Sequence, residues 1–254
     1  MDALAAVLDA ARIAGEIALD ALRRPREISE KGRRADIVTD ADRACEAAIL
    51  ARLRADFPAA TFATEESGTH PGESDERFVI DPIDGTTNFA HGYPLFCVSI
   101  AYERAGELLA AVVHAPALCE TFAAERGAGT YRNGERVRVS TVAAVADALV
   151  CTGFHPADFA RNAEYFRAVS DRAQAVRRDG SAALDLASVA CGRFDGFWEW
   201  DLHAWDVAAG TLLVREAGGT VTRIDGAAAS LDAHSILATN GAIHGELGAV
   251  LAHV

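Results

Sequence analysis

Two carboxylates stand three residues apart in the segment DPIDGTTNF, which runs from Asp81 to Phe89. The apolar run FVI at 78–80 is typical of a short buried strand, so both acids are expected where that strand stops and the chain turns. Pro82 restricts the backbone between them, which allows both side chains and the Ile83 carbonyl to point to one place. This group of oxygen donors is suited to a metal ion.

The residues after Asp84 supply a second kind of binding group. Gly85, Thr86 and Thr87 are expected to begin a helical turn whose exposed N–H groups can bind phosphate oxygens. One short segment can therefore hold a metal ion and a phosphate together.

Further acidic residues stand beside apolar strands or helices, although they are far apart in the sequence. They are Asp42, Glu65, Glu66, Glu199 and Asp206. In a fold whose strand ends converge, such acids can share one cleft. Clustered carboxylates repel one another unless cations lie between them, and oxygen ligands with few histidines or thiolates indicate Mg²⁺ rather than Zn²⁺. A water molecule on Mg²⁺ can then act as the nucleophile.

The composition restricts the classes of partner. The 254-residue chain carries a formal net charge of −13, which disfavours direct contact with nucleic acid and binding to anionic membranes. Metal ions held by carboxylates are a better neutraliser of a substrate phosphate in such a protein than a basic patch.

Cysteine usage and the N-terminal segment predict the compartment. The five cysteines are odd in number, scattered and without a CxxC pair, which is typical of free buried thiols in a reducing compartment. Charged residues interrupt the apolar N-terminal segment, so we expect neither a signal peptide nor a membrane span. The sequence predicts a soluble, cytoplasmic protein.

The elements that must position these residues follow from periodicity and turn signals. We expect a first helix up to Pro25 and a second that starts near Asp40, with Thr39 or Asp40 as N-cap, and stops before Pro58. Four strands are expected between 78 and 125. Turns are expected at 105–106 and 133–134.

Beyond about residue 145 strands and helices alternate, with helices over 161–175, SAALDLASVAC and DVAAGTLLVREA, and strands ALVCTGF and GFWEW. The predicted fold is a layered α+β or α/β protein with a mostly antiparallel first sheet and a mixed second sheet. We expect one domain over residues 1–254, with halves of about 1–142 and 143–254.

The segment DPIDGTTNF and the later WDVAAG resemble the paired signatures of the inositol monophosphatase family. This is a family of magnesium-dependent, lithium-sensitive sugar-phosphate phosphatases. Similar segments extend over nearly the whole chain: DIVTDAD at 36–42, EES at 65–67, RRDGSAALDLA at 177–187 and GFWEWDLHAWD at 196–206. The resemblance implies an αβαβα sandwich of the sugar phosphatase type, usually assembled as a homodimer.

The resemblance also implies roles for individual residues. Two or three Mg²⁺ ions would be held by Glu65, Asp81, the Ile83 carbonyl, Asp84 and Asp206. Thr86, supported by Asp42, would help to orient or deprotonate the attacking water, which Glu65 would contact through metal. The N–H groups of Gly85 and Thr86 would hold the phosphate. The alcohol part of the substrate would meet Asp84, Gly180, Ser181, Ala182 and Glu199.

Several substrates remain open within this chemistry. Inositol 1-phosphate or a related polyol monophosphate is the leading expectation, and Glu199 favours a substrate with hydroxyl groups. The alternatives are histidinol phosphate, fructose 1,6-bisphosphate, NADP and 3′-phosphoadenosine 5′-phosphate. A different class of function is that of a non-catalytic partner of the transcription machinery. Some bacterial proteins that resemble this chain have this role.

Overall fold

A computed structural model describes residues 2–24, 28–30, 37–154, 158–231 and 235–254. Pro25, expected to end the first helix, and Asp36, the first residue of the DIVTDAD segment, lie outside the described residues. The helices within these ranges are α1 (Ala3–Ala21), α2 (Asp40–Asp56), α3 (Thr86–Ala90), α4 (Phe159–Ser170), α5 (Ala182–Ala190), α6 (Ala204–Glu216) and α7 (His244–Ala252). None of the helices in the described part of the chain is long and apolar enough to cross a membrane.

The first sheet is mostly antiparallel, as predicted. Its strands are β3 (Thr61–Thr64), β4 (Gly68–His70), β5 (Glu76–Asp84), β6 (Cys97–Arg104), β7 (Glu107–Ala115), β8 (Glu120–Glu125), β9 (Gly129–Arg132) and β10 (Glu135–Val137). Their order is β10-β9-β8-β7-β6-β5-β3-β4. Strands β3 and β5 pair in parallel, and the other neighbouring pairs are antiparallel.

The second sheet is mixed, which confirms the expected architecture. Its strands are β11 (Leu149–Thr152), β12 (Ala175–Arg177), β13 (Gly196–Trp200), β14 (Thr220–Thr222) and β15 (Ser235–Thr239), in the order β12-β11-β13-β15-β14. Strand β11 is parallel to both of its neighbours, whereas β15 is antiparallel to both of its own. A separate ribbon pairs β1 (Ile28–Glu30) with β2 (Ile37–Thr39).

Three apolar clusters show that the layers alternate between helix and sheet. Buried residues of α1 and α2 pack on one face of the first sheet. Helices α5 and α6 fill the space between its other face and the second sheet. Buried residues of α7 and Val169 of α4 cover the outer face of the second sheet. The molecule is therefore an αβαβα sandwich, as expected.

Strand β5 is longer than the sequence predicts. It does not stop after Ile80 but continues to Asp84, with a register shift against β6 between Asp81 and Asp84. The expectation that both acids follow the strand was therefore wrong. Pro82 has no N–H to donate to a neighbouring strand, and an irregularity is one of the few places in a sheet that tolerates it. The two acids are thus held inside the sheet.

Helix α4 is shorter than predicted and shifted towards the N-terminus. It ends at Ser170 rather than near residue 175, and the backbone N–H of Ala173 still bonds to the Val169 carbonyl. Residues Ala175–Arg177 form edge strand β12 on β11. Pairing with an available sheet edge decided the conformation of this segment over its local helical pattern.

Helices α5 and α6 lie very close together at Gly210. A Cβ atom built on Gly210 would stand only 2.4 Å from Cβ of Leu186. The missing side chain therefore permits the close packing of the two helices that carry Ser181 and Asp206 at or near their N-termini.

We expect Gly210→Ala to destabilise the protein, because the new methyl group would push α6 away from α5. Overpacking of this kind costs about 1–3 kcal/mol in free energy of unfolding, measurable by denaturant titration. Gly245→Ala is the matched control, since a Cβ on this glycine of α7 meets nothing within 4 Å. Its effect should be neutral or slightly stabilising. Equal losses in the two variants would contradict the packing argument.

Candidate active site

Three carboxylates from two separate elements meet at one point. Asp81, Asp84 and Asp206 each offer an oxygen, and these oxygens lie within 4.8 Å of one another. Strand β5 supplies two of them on either side of its irregularity, and the first turn of α6 supplies the third. The Asp206 side chain is held there by the backbone N–H of His203, which donates to Oδ2 over 2.6 Å.

The electrostatics of this centre favour a bound cation. Burial raises the pKa of Asp81 well above its usual value, and the charges of Glu65, Asp84 and Asp206 raise it further. Burial also raises the pKa of Asp84, to about 6, against hydrogen bonds from Ser181 and Ala183 that lower it. Crowded carboxylates with oxygen donors suit Mg²⁺. The residues present therefore fit the expected metal.

Asp84 joins the first sheet to helix α5. Its Oδ2 atom accepts hydrogen bonds from Ser181 Oγ and from the backbone N–H of Ala183, both at 2.7 Å. The thiol of Cys97 on the neighbouring strand lies 3.7 Å from the same oxygen. These contacts fix one oxygen of the carboxylate and thereby its orientation.

Asp42 and Thr86 form the pair that the resemblance implies. Thr39 caps α2, and Asp42 completes a capping box, with its Oδ2 atom accepting from the Thr39 backbone N–H at 2.8 Å. The fully buried Asp42 side chain presents its other oxygen to Thr86, whose hydroxyl lies 3.2 Å from Oδ1. A helix cap thus positions a side chain for the site.

Gly85 allows the turn from β5 into α3. It has φ +90°, and an added Cβ would lie 3.0 Å from the Leu95 carbonyl oxygen and 3.2 Å from the Gly180 carbonyl oxygen. Helix α3 begins with the next residue, Thr86, so the expected helical turn is present. The Ile83 carbonyl accepts from the Thr86 hydroxyl at 3.1 Å.

The expected wall for the alcohol begins at the N-terminus of α5. Gly180 has φ +84°, Ser181 precedes α5 as its N-cap, and Ala182 is the first helical residue. Ser181 is fully buried with its hydroxyl on Asp84, so its side chain supports the carboxylate centre.

Glu199, on β13, lies against a glycine. A Cβ on Gly153 would stand 2.1 Å from the Glu199 Oε2 atom, so the carboxylate occupies the space that any other residue there would fill. Burial, followed by the charges of Asp206 and Asp84, raises the pKa of Glu199 well above its usual value. The last two causes show that Glu199 is within electrostatic reach of the carboxylate centre.

The structure brings most of the predicted site residues together. Asp81, Asp84 and Asp206 cluster, and Glu65 contributes charge to Asp81 from the end of β3, where its backbone N–H bonds to the Ile80 carbonyl. Glu66 instead donates its N–H to Glu46. The role of each residue stays a prediction.

The sequence reasoning did not assign three residues that shape the site: Asn88, Cys97 and Gly153. Asn88 donates to the carbonyls of Leu95 and Asp179 at 2.6 and 2.8 Å, which ties α3 to the loop before α5. The position of Asn88 inside DPIDGTTNF could have indicated that it belongs to the site. Nothing local in the sequence marks Gly153 as the neighbour of Glu199.

The fold is shared with known structures. The extragenic suppressor protein suhB from Bartonella henselae matches with a TM-score of 0.93 and 41% sequence identity, over 97% of this chain and 96% of that chain. The five layers and the carboxylate centre are those of a metal-dependent phosphatase.

The sequence model described as "Inositol monophosphatase family" matches residues 2–254. The chain belongs to the inositol monophosphatase family, which confirms the resemblance. An inositol-1-monophosphatase of Mesorhizobium japonicum is 46% identical over 85% of this chain and 83% of that protein.

Two other relatives carry different names. A Nus factor SuhB of Pseudomonas aeruginosa is 44% identical over 92% of this chain and 89% of that protein. A fructose-1,6-bisphosphatase/inositol-1-monophosphatase of Thermotoga maritima is 42% identical over 86% of this chain and 84% of that protein. Family membership therefore leaves the substrate within the family open.

We expect Asp84→Asn to raise the melting temperature of the metal-free protein near neutral pH by roughly a few degrees. The pKa of Asp84 is about 6 in the folded protein and near 3.8 for an ordinary aspartate in the unfolded chain, so ionisation opposes folding. This penalty is absent below the lower pKa, grows between the two values and is complete above the higher one.

Melting curves of both proteins in chelator, from acidic to neutral pH, test this expectation. The difference should shrink as the pH falls from about 6 towards 4. Asp147→Asn, at an exposed carboxylate, is the control and should show little difference. A pH-independent gain in Asp84→Asn would contradict the assigned electrostatics.

Proposed function

We propose that this phosphatase uses Mg²⁺ to hydrolyse inositol 1-phosphate or a related polyol monophosphate. The observation that carries the proposal is the meeting of Asp81, Asp84 and Asp206 beside the start of α3, with the Asp42–Thr86 pair on one side. Glu199 lies within electrostatic reach of the same centre. Together these groups provide places for metal, phosphate, water and alcohol.

Bound magnesium ions, two or three in number, would polarise the phosphoryl oxygens, lower the pKa of a water and stabilise the departing alkoxide. Asp81, Asp84, Asp206, Glu65 and the Ile83 carbonyl are the proposed ligands. Their common feature is an oxygen donor on or next to β3, β5 or α6.

The remaining residues bind and orient the reactants in this proposal. The N–H groups of Gly85 and Thr86 donate to the phosphate. The Thr86 hydroxyl orients the attacking water, and Asp42, buried and held by Thr39, accepts the proton that the hydroxyl passes on. Since water attacks the phosphorus directly, no covalent phospho-enzyme is required.

Substrate preference is assigned to the wall formed by Gly180, Ala182 and Glu199. A carboxylate in this position can accept hydrogen bonds from vicinal hydroxyl groups, which inositol and other polyols provide. The inositol-1-monophosphatase of Mesorhizobium japonicum supports this substrate class. Fructose 1,6-bisphosphate is the first rival because of the Thermotoga maritima relative, followed by histidinol phosphate, NADP and 3′-phosphoadenosine 5′-phosphate.

A second function is supported by the relative named Nus factor SuhB. In this alternative the chain serves as a protein partner of the transcription machinery, and the net charge of −13 disfavours direct RNA contact. Retention of a transcription-complex partner by Asp84→Asn in a pull-down would support it. A homodimer, a cytoplasmic location and lithium sensitivity remain proposals carried by the resemblance.

A panel of phosphate esters, assayed for kcat/KM with Mg²⁺, tests the proposed function. Inositol 1-phosphate should exceed fructose 1,6-bisphosphate, histidinol phosphate and the nucleotides. A clear preference for any of these rivals would reassign the substrate while leaving the phosphatase chemistry in place.

We expect complete loss of activity after treatment with chelator, and recovery with Mg²⁺ but not with Ca²⁺. Calcium prefers more ligands at longer distances and does not hold the octahedral geometry that Mg²⁺ imposes. Lithium should inhibit the restored enzyme. The Mg²⁺ concentration needed should rise as the pH falls to about 6 and below, because protonated Asp84 is a poor ligand. Full activity in metal-free protein would refute the mechanism.

We expect Glu199→Gln to weaken binding of inositol 1-phosphate, seen as a KM increase equivalent to about 1–3 kcal/mol. The kcat value and the Mg²⁺ dependence of this variant should stay unchanged. The ester 4-nitrophenyl phosphate lacks the hydroxyl groups and should hardly respond. Gly153→Ala should imitate Glu199→Gln, because the added methyl group displaces the carboxylate.

Glu65→Gln is the contrasting variant. It should lower kcat for both esters, on the order of a hundredfold, because Glu65 acts on metal and water. An equal fall in kcat on both esters in Glu199→Gln would move Glu199 into the catalytic centre and contradict its assignment to the substrate wall.

A further inference from the structure

A second group of metal-ligating side chains lies beside the wall and outside the carboxylate centre. Cys151, Asp179 and Asp185 each offer one ligand atom, and the three atoms lie within 4.8 Å of one another. Cys151 belongs to β11, Asp185 to the first turn of α5, and Asp179 to the loop between β12 and α5. The proposed phosphatase reaction has no use for any of them.

Asp185 is the residue that calls for a ligand. It is 2% exposed, and within the described part of the chain its buried Oδ2 atom has no hydrogen-bond partner of ordinary length and angle, because the thiol of Cys151 is only a weak donor to this carboxylate. A buried carboxylate oxygen without a donor is costly and rare in folded proteins. A proton shared with a neighbour or a bound cation would remove that cost.

The surroundings of the cluster are negative. Burial raises the pKa of Asp185, and the charge of Asp179 raises it further. Burial and the Asp185 charge raise the pKa of the Cys151 thiol. Arg177 opposes the burial effect at Asp179. A divalent cation between the three groups would reverse these effects.

The chemistry of the donors selects the cation. A thiolate is a soft ligand that favours Zn²⁺ over Mg²⁺, and Zn²⁺ accepts carboxylates beside it in a tetrahedral site. Bonds of about 2.3 Å to sulfur and about 2.0–2.2 Å to oxygen place ligand atoms roughly 3.5 Å apart. The three ligand atoms lie within 4.8 Å of one another, so small side-chain movements would bring them to that spacing.

We propose that Cys151, Asp179 and Asp185 form a Zn²⁺ site, separate from the carboxylate centre, with a fourth position for water. Binding releases the protons of the thiol and of any protonated carboxyl, so affinity rises with pH. The charge of Glu199 contributes to the raised pKa of Asp185. An occupied site therefore adds positive charge close to the wall that receives the alcohol.

The experiment titrates the full chain with Co²⁺, a spectroscopic substitute for Zn²⁺, in excess Mg²⁺ so that the carboxylate centre is filled. A thiolate-to-Co²⁺ charge-transfer band should appear in the near ultraviolet, and Zn²⁺ should abolish it by displacement. Cys151→Ser should lose the band. Asp179→Asn, a conservative change at a partly exposed position, should weaken Co²⁺ binding by about tenfold or more.

Two matched cysteine variants make the result specific. Cys97→Ala removes the thiol beside Asp84, and Cys119→Ser removes an exposed thiol, so both should keep the band. Melting curves check the fold of each variant, and Asp179→Asn decides the outcome if Cys151→Ser does not fold. Absence of the band, its survival in Cys151→Ser, or unchanged affinity in Asp179→Asn would overturn the proposal and leave a shared proton as the explanation for Asp185.

Discussion

Mutual repulsion among buried carboxylates is the constraint around which the rest of the structure is arranged. Asp81, Asp84 and Asp206 are brought together although burial and neighbouring charges raise the pKa of Asp81 and of Asp84 and so oppose the ionisation of these two. A protein can maintain such a centre only if packing elsewhere holds the backbone rigidly. Here β5 pairs with β3 over Arg77–Ile80 and with β6 on its other side, and α6 packs between the two sheets. The apolar layers thus stabilise an arrangement that the charges alone would break.

Hydrogen bonds connect the carboxylate centre and its surroundings to neighbouring elements. The oxygen that Asp84 commits to Ser181 and Ala183 connects the first sheet with α5. Asn88 connects α3 with the loop before the same helix. Because α5 follows directly on Gly180 and Ser181, these links support both the carboxylate centre and the proposed substrate wall. The close approach of α5 and α6 at Gly210 likewise fixes these two helices against each other.

Sequence patterns predicted the elements better than their contacts. The layered class, most helices and the central strands could be predicted because periodicity and turn residues are local signals, as in the Ala105–Gly106 turn, where both residues have positive φ. Edge strands such as Ala175–Arg177 were missed because three residues carry no period and depend on a partner. The continuation of β5 to Asp84 depended on pairing across the Pro82 irregularity.

Some features of the candidate site could likewise be predicted from local sequence, and others depend on tertiary contacts. DPIDGTT is a local signal, and its chemistry follows from residue types. The contact of Glu199 with Gly153 and the closeness of Asp206 to Asp81 both follow from the path of the chain through two sheets. The residue types suggested that Asp206 could share a cleft with other acids, and the resemblance to a family assigned it to the same centre as Asp81.

Asp42 and Asp206 share a position that has a dynamic consequence. Each stands in the first turn of its helix, and each accepts a hydrogen bond from the backbone N–H three residues before it. Helix ends fray more readily than helix interiors, and fraying of a single turn needs far less free energy than global unfolding. Local melting at the start of α2 or α6 would separate Asp42 or Asp206 from the other residues of the candidate site while every layer of the sandwich stayed folded. The residence time of these two turns in the helical state is therefore an upper limit on how long the site remains assembled.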